Sequence, residues 1–373
     1  MGWPAVGEVL GGARRVLLLH HWDADGICTA AMMAEELEAR GVGVSLFCPT
    51  IGNFFLSAAD RGAIGSMAGH ERVVVLDYAL PADDMAWLAG RWPTAQIDHH
   101  LQKHGGIVQV NPIADGADPA EYPSAGWVAS AFLGRDPSLL SVYGVIGDVG
   151  RKAESLPVWP AIEAVLDAHG MVLGDAERIV ELLDSPYKVG DREGVVAAVY
   201  AVRAAADEPG AILGNAEWAH NLEAIDREMA RLLSLPTKER RGLTVVEFET
   251  RFNLISAIGR ELSSRHGAAF CINRGYFDDR DQLYLRRSDG VPVTGVIDAA
   301  RARGYSAGGK ADVVGIVVPK EETEDAVALV LELAGGRPGQ GKDADVGRRP
   351  GGAKAGGRRT RAAADRKGGG RSR

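Results

Sequence analysis

The chain has 373 residues, 46% of them apolar and 25% charged, with a formal net charge of −8. That length is too great for one typical domain, and the balance is that of a soluble globular protein. No run of about 18 apolar residues is present to span a membrane, no signal peptide is readable from Met1 to Val9, and three widely spaced cysteines (Cys28, Cys48, Cys271) argue against a disulfide framework or a thiolate metal site and fit a reducing cytoplasm.

Taken in order, Arg14 to His20 is a short continuous apolar run and is expected to be a buried strand. After Gly26, Thr29 to Arg40 has helical character and stops at Gly41. Val42 to Phe47 and Arg72 to Asp77 are further strands, the latter followed by a Pro81-led helix through Ala89. Thr94 to Ile97 and Gly106 to Val110 are short strands. Ser124 to Leu133 and Leu139 to Ile146 are expected as helices. Alternating strands and helices imply right-handed crossovers and a mostly parallel sheet. From 151 to 240, strand signals give way to Ala, Leu, Glu and Arg at helical spacing. A third stretch opens with the alternating strand Leu243 to Phe248. It continues with a helix from Leu254 to His266, two hairpin strands at Ala268 to Tyr276 and Gln282 to Leu285, and a helix from Thr294 to Arg303. A strand at Val313 to Val318 and a helix at Glu322 to Leu333 close it.

Four acidic or histidine clusters close apolar runs: Asp23-Ala24-Asp25-Gly26, Asp77, Asp98-His99-His100 and Asp148. Open α/β sheets present ligands at the carboxyl ends of their strands. Gathered in one crevice, these anions would repel by several kcal/mol, and divalent cations resolve the conflict. Carboxylate and imidazole donors suit Mn²⁺, Mg²⁺ or Zn²⁺. Taken singly, each residue has an ordinary explanation. Asp25-Gly26 is a common turn or cap, Asp77 a common N-cap, and Asp98 a residue that could orient a neighbouring His. His20 and His104 belong to no cluster and are expected to be a packing residue and a surface residue. Cys28 is expected to be a small buried apolar residue.

His21-Trp22-Asp23-Ala24-Asp25-Gly26, Leu76-Asp77, Asp98-His99-His100 and Gly147-Asp148 resemble, in this order, motifs one to four of the DHH phosphoesterase superfamily. Its members include RecJ-type exonucleases, nanoRNase and cyclic-dinucleotide phosphodiesterases, and manganese pyrophosphatases. The resemblance implies an α/β, two-lobed protein. A mostly parallel DHH domain would span 1–150, a helical connector 151–240 and a smaller α/β DHHA1-like domain 241–335. It implies two Mn²⁺ ions, with Mg²⁺ as the substitute. Asp23, supported by His21, would hold one ion. Asp25, His99 and Asp148 would hold the other, and Asp77 would bridge both. Such a pair clamps a phosphoryl oxygen and generates a hydroxide nucleophile near neutral pH. His100 would face the phosphate as donor or acid, with Asp98 beside it in the catalytic set.

The resemblance extends to the third stretch, where Leu285-Arg286-Arg287-Ser288 and Gly308-Gly309-Lys310-Ala311-Asp312-Val313-Val314-Gly315 look like the DHHA1 substrate-binding motifs. Arg287 and Ser288 would take a phosphate, and Gly308 and Gly309 would offer backbone N–H groups to an anion. Relatives carry His where this chain has Lys310, which keeps a positive donor but cannot act as a neutral acid-base. The expected substrate is single-stranded nucleic acid or a short oligonucleotide, RNA or DNA, cleaved to mononucleotides. A phosphohydrolase for pyrophosphate or a small metabolite, or a non-catalytic replication-scaffold relative, are the alternatives.

From Gly336 to Arg373 the chain carries 12 Lys or Arg against three Asp, a net of +9, which leaves −17 on the first 335 residues. This Gly/Arg/Ala-rich segment holds too little apolar surface to offset its ordering entropy and is expected to be disordered. It is expected either to tether nucleic acid or merely to be tolerated.

Overall fold

The computed structural model describes residues 3–205 and 208–335. The basic segment from Gly336 onward, with its expected disorder and tethering role, lies outside the described residues. The first half runs α1 (Trp3–Leu10), β1 (Arg15–His20), α2 (Ala24–Ala39), β2 (Gly43–Phe47), α3 (Ala58–Ser66), β3 (Arg72–Leu76), α4 (Ala82–Ala89), β4 (Thr94–Ile97), β5 (Val108–Val110), α5 (Ala125–Leu133) and α6 (Leu139–Val149). Its five strands form one sheet, ordered β2-β1-β3-β4-β5 and parallel throughout. Val16 to Leu19 and Val73 to Leu76 are completely buried. A sheet covered on both faces demands such unbroken apolar runs rather than alternation. In register, His20 pairs with Leu76, so β1 and β3 end side by side.

A 3₁₀ turn (Gly150–Ser155) leads into five helices: α7 (Trp159–Ala168), α8 (Leu173–Val189), α9 (Arg192–Ala204), α10 (Pro209–Leu213) and α11 (Ala216–Leu233). The final part contains β6 (Lys238–Arg240), β7 (Leu243–Phe248), α12 (Ile255–His266), β8 (Ala268–Asn273), β9 (Arg280–Arg287), α13 (Thr294–Ala302), β10 (Ser306–Lys310), β11 (Val313–Pro319) and α14 (Thr323–Ala334). Its sheet is ordered β10-β11-β9-β8-β7-β6 and is antiparallel except for the β7–β8 pair. One core runs through the first half, the helices and the α12 face of this second sheet, and a smaller one lies beneath α13 and α14. Among the described residues, no helix is long and apolar enough to cross a membrane.

Several local expectations change. Helix α2 starts at Ala24, five residues earlier than its composition indicates, because Asp23 caps it by accepting from the Gly26 N–H at 3.1 Å. Gly26 therefore lies inside the first turn. It is needed for close approach rather than for a bend, since a Cβ there would stand 2.5 Å from the His21 carbonyl oxygen. Helix α3 is anchored by a Ser57–Asp60 capping box, but only Asp60 and Ile64 of its residues are buried, too sparse a stripe to read from sequence. Strand β10 contains Gly308 and Gly309 and no β-branched residue, so nothing in its composition announces a strand. His104 is buried, not at the surface.

Candidate metal centre

The site forms where β1, β3 and β4 end. His21 and Asp23 follow β1, Asp77 follows β3, and Asp98, His99 and His100 follow β4. Asp25 lies in the first turn of α2. Asp148 does not come from a strand. It sits in the last turn of α6, a helix whose residues Leu139 to Ile146 are all buried. An apolar run before a carboxylate looks the same for a buried helix and a buried strand.

Three groups of ligand atoms, each within 4.8 Å of one another, arise here: His21, Asp23 and Asp77; Asp25, His99 and Asp148; and Asp77, His99 and His100. His21 Nδ1 is 2.9 Å from Asp23 Oδ2 and 3.9 Å from Asp77 Oδ2. His99 Nε2 is 3.0 Å from Asp148 Oδ2 and 3.6 Å from Asp77 Oδ1. Asp77 is thus shared by the first and third groups, and His99 by the second and third. Asp77 is 2% exposed, and its backbone adopts the left-handed conformation with φ of 51°. Asp is among the few non-glycine residues that tolerate this region, at a strain cost that functional sites commonly carry.

His100 is held differently. Its Nδ1 contacts Asp98 Oδ1 at 2.7 Å and lies 4.0 Å from Asp77. Asp98 is fully buried, and the same Oδ1 accepts the His99 N–H at 2.8 Å, while Oδ2 accepts from Gln96 at 3.1 Å. Asp98 therefore fixes the His100 ring. The rest of that imidazole, 39% exposed, remains open.

Asp25 is gripped from α5. Its Oδ2 accepts the Ala125 N–H at 2.6 Å and its Oδ1 the Gly126 N–H at 2.9 Å. Room for this carboxylate exists because residue 144 on α6 is glycine. Sequence reading missed a further partner, Asp184 on α8. It accepts the N–H of Ala24, between the two motif aspartates, at 3.0 Å, and pairs with Lys188 at 3.2 Å. Nothing in its helical neighbourhood marks it out in the sequence.

The charges conflict as crowded anions must. Burial and then the carboxylates of Asp25, Asp23, Asp148 and Asp98 push Asp77 well above the usual carboxyl range. Burial followed by Asp148 raises Asp25 to about 7. Burial alone would lower His99, yet Asp148, Asp25 and Asp98 lift it to about 9. Burial would raise Asp23, but the His21 imidazole holds it below its ordinary value. One observation tests whether a cation fits: Asp77 Oδ1 is buried and has no hydrogen-bond partner. Its nearest imidazole nitrogens, at 3.6 and 4.0 Å, are beyond hydrogen-bond reach. An orphaned carboxyl oxygen ringed by other carboxyl groups and imidazoles fits a divalent cation with oxygen and nitrogen ligands.

The second sheet places its candidate residues less simply. Arg287 shares a β9 face with Leu283 and Leu285, over the smaller core. Its guanidinium is taken up by Asp289 at 2.5 Å and by the Ala334 carbonyl. Ser288 donates its N–H to Gly267 and lies 3.3 Å from the Ser263 hydroxyl. Arg286 points with Tyr284 to the opposite face, where Tyr284 packs on the larger core. Gly308 and Gly309 are paired with Gly315 and Val314 across the hairpin rather than forming a loop, and Lys310 ends the strand, exposed.

No protein-family model matches the sequence, and no curated protein matches it. Solved structures of similar fold include RecJ from Thermus thermophilus in complex with Mn²⁺, 16% identical with a TM-score of 0.63 over 88% of this chain. The match spans 53% of that chain, about half its length. An exonuclease RecJ bound to manganese is 14% identical with a TM-score of 0.62, covering 88% of this chain and 92% of its own. CDC45 from Entamoeba histolytica is 12% identical with a TM-score of 0.52, over 89% and 99% respectively. The chain has the mixed α/β fold of these structures.

Proposed function

We propose that this protein is a divalent-metal-dependent phosphodiesterase acting on single-stranded nucleic acid or short oligonucleotides and releasing mononucleotides. The observation that carries the reading is the buried, unpartnered Asp77 Oδ1, 3.6 Å from His99, on a carboxyl group whose Oδ2 lies 3.9 Å from His21. Asp23 and His21 would hold one ion, Asp25, His99 and Asp148 a second, and Asp77 both. When bound, a pair of Mn²⁺ ions supplies charge neutralisation at a phosphoryl oxygen and activates water for in-line attack. Mg²⁺ is the natural substitute for such oxygen-rich ligands.

The chain's own residues do the rest. Asp184 fixes the Ala24 N–H and so the spacing of Asp23 and Asp25. Asp98 occupies His100 Nδ1, which removes that nitrogen from ligation and aims the other edge of the ring outward. His100 then donates a hydrogen bond to the phosphate or a proton to the leaving oxygen. Arg287 is engaged by Asp289 and the Ala334 carbonyl, and Arg286 by Asp312 at 3.3 Å and by the Tyr284 hydroxyl, so either would meet a substrate phosphate by exchanging a present partner. Ser288, Gly308, Gly309 and Lys310 would then frame the substrate end at the edge of the second sheet. The basic segment from Gly336 would add affinity for longer strands.

A scaffold role like that of a non-catalytic relative is disfavoured by the filled cluster: every position that would ligate a metal holds a carboxylate or an imidazole. The test is incubation of the full chain with 5′- and 3′-labelled RNA and DNA, from dinucleotides to about 20 nucleotides, with Mn²⁺, Mg²⁺ or chelator. Mononucleotide release that needs the metal is expected. Cleavage of pyrophosphate but of no oligonucleotide would replace the substrate, and no hydrolysis of either would refute the enzyme.

A further inference from the structure

Phe54 is an aromatic side chain left 45% exposed on a backbone that is firmly held. It lies in the segment joining β2 to α3. Its neighbours are pinned. The carbonyl of Asn53 accepts from the buried Tyr78 hydroxyl at 2.5 Å, and Asn53 Oδ1 accepts from Arg280 on β9 at 3.0 Å. Arg280 is itself stacked 4.3 Å from the Phe277 ring. Leu56 donates its N–H to Asp84 at 2.9 Å. Exposing an aromatic ring on so fixed a mount forgoes burial that a rearranged loop could recover.

The position of the ring gives it a use. Its centroid is 6.0 Å from that of Trp22, whose ring is in turn 4.1 Å from His21. Phe54 is therefore one ring removed from a proposed metal ligand. On its other side it faces the second sheet. A Cβ at Gly315 on β11 would stand 3.7 Å from Phe54 Cε2, so the ring edge lies about a methyl group away from a point of the second sheet that carries no side chain. Gly315 pairs with Gly308, within the stretch expected to meet the substrate end. An apolar, π-faced surface thus lies between the acidic cluster and the second sheet, where the base of a nucleotide would fall if its phosphate lay on the cluster.

We propose that Phe54 is a stacking platform for a substrate nucleobase. The proposal rests on the nucleotide reading of the site, but its test does not require turnover. Every base has a π-face, so such a platform selects nucleotides over bare phosphates while tolerating any base.

The experiment is calorimetric binding of AMP and of ribose 5-phosphate to the full chain with Mn²⁺, for wild type, Phe54→Ala, Phe54→Leu and Phe54→Trp. Wild type is expected to prefer AMP by about fivefold to 150-fold, the range for one base stack. Phe54→Ala and Phe54→Leu should erase that preference while leaving ribose 5-phosphate affinity unchanged, and Phe54→Trp should keep it. An unchanged preference in Phe54→Ala, a parallel loss of both ligands, or no preference for AMP in wild type overturns the platform. Oligonucleotide hydrolysis is scored separately: its absence alongside a Phe54-dependent AMP preference would sink the enzyme reading and leave the stacking site standing.

Discussion

A methyl group on residue 144 would lie 2.3 Å from Oδ1 of Asp25. Helix α6 thus contributes more than Asp148 to the site, because its glycine makes the space that the Asp25 carboxylate occupies. Gly144→Ala is expected to displace that carboxylate and weaken Mn²⁺ binding at least as much as an outer-shell change does, about tenfold or more. Calorimetric titration with Mn²⁺ checks this, with circular dichroism confirming that helix content is kept. Unaltered Mn²⁺ affinity in a folded variant would remove Asp25 from the ligand set.

Asp77→Asn should remove turnover by more than the roughly 10- to 100-fold typical of outer-shell changes, because the shared carboxylate serves both groups. Asn also tolerates the left-handed backbone at this position. Removing one anion from a crowded cluster relieves repulsion, so the metal-free variant should melt no lower than wild type. Retained turnover at saturating Mn²⁺ contradicts the bridging role.

The two adjacent imidazoles should separate in function. His99 faces Asp148 and Asp77, whereas His100 is tied to Asp98. His99→Ala is expected to lower Mn²⁺ affinity and turnover together. His100→Ala should cost about 10² to 10⁴ in rate with affinity nearly unchanged. Paired measurements of Mn²⁺ binding and turnover decide, and equal loss of metal in both variants defeats the division.

Metal affinity should rise with pH. Without metal, Asp25 titrates at about 7 and His99 at about 9, above their ordinary values of 3.8 and 6.5. A cation must displace those protons, so Mn²⁺ should bind more tightly, with fewer protons released, as pH rises from about 6 to 9. The metal-free fold moves the other way. Both groups have raised pKa values in the folded state, so their stabilising contribution is full at low pH and is lost as pH climbs through about 7 and about 9. Titrations in buffers of different ionisation enthalpy, with melting curves across the same range, measure both. A pH-independent affinity would mean that neither group ligates.

Removal of residues 336–373 should leave dinucleotide cleavage unchanged and weaken use of a strand of about 20 nucleotides, while reducing its salt dependence. Catalytic efficiency on both substrates at low and moderate salt is the comparison. Identical salt slopes with and without the segment would show that it does not contact substrate.

Much of the acidic cluster's placement was legible because Asp23, Asp77 and Asp98 each close an apolar run that folds as a parallel strand. Asp148 closes an equally apolar run, Leu139 to Ile146, which is expected as a helix and folds as α6. Arg287 looked like the phosphate-facing cation because it lies beside Ser288. Alternation along β9 places Leu283, Leu285 and Arg287 on one face and Tyr284 and Arg286 on the other, a division that the sequence already carries. Asp184 and Gly144 gave no such signal. Their importance comes from helices packing on α2 through contacts distant in sequence, which no local pattern encodes.

The grip of α5 on Asp25 makes one carboxylate answer to two masters. The N–H groups of Ala125 and Gly126 bind it as a helix binds an anion at its amino end. A cation that keeps Asp25 ionised thereby strengthens the attachment of α5, and the dependence runs equally in reverse. If Asp25 holds a metal, whatever loosens the start of α5, even far from any ligand atom, should weaken the hold on it, by no more than the coupling between the two. Ion occupancy and the local unfolding of a helix that ligates nothing would then be two coupled equilibria.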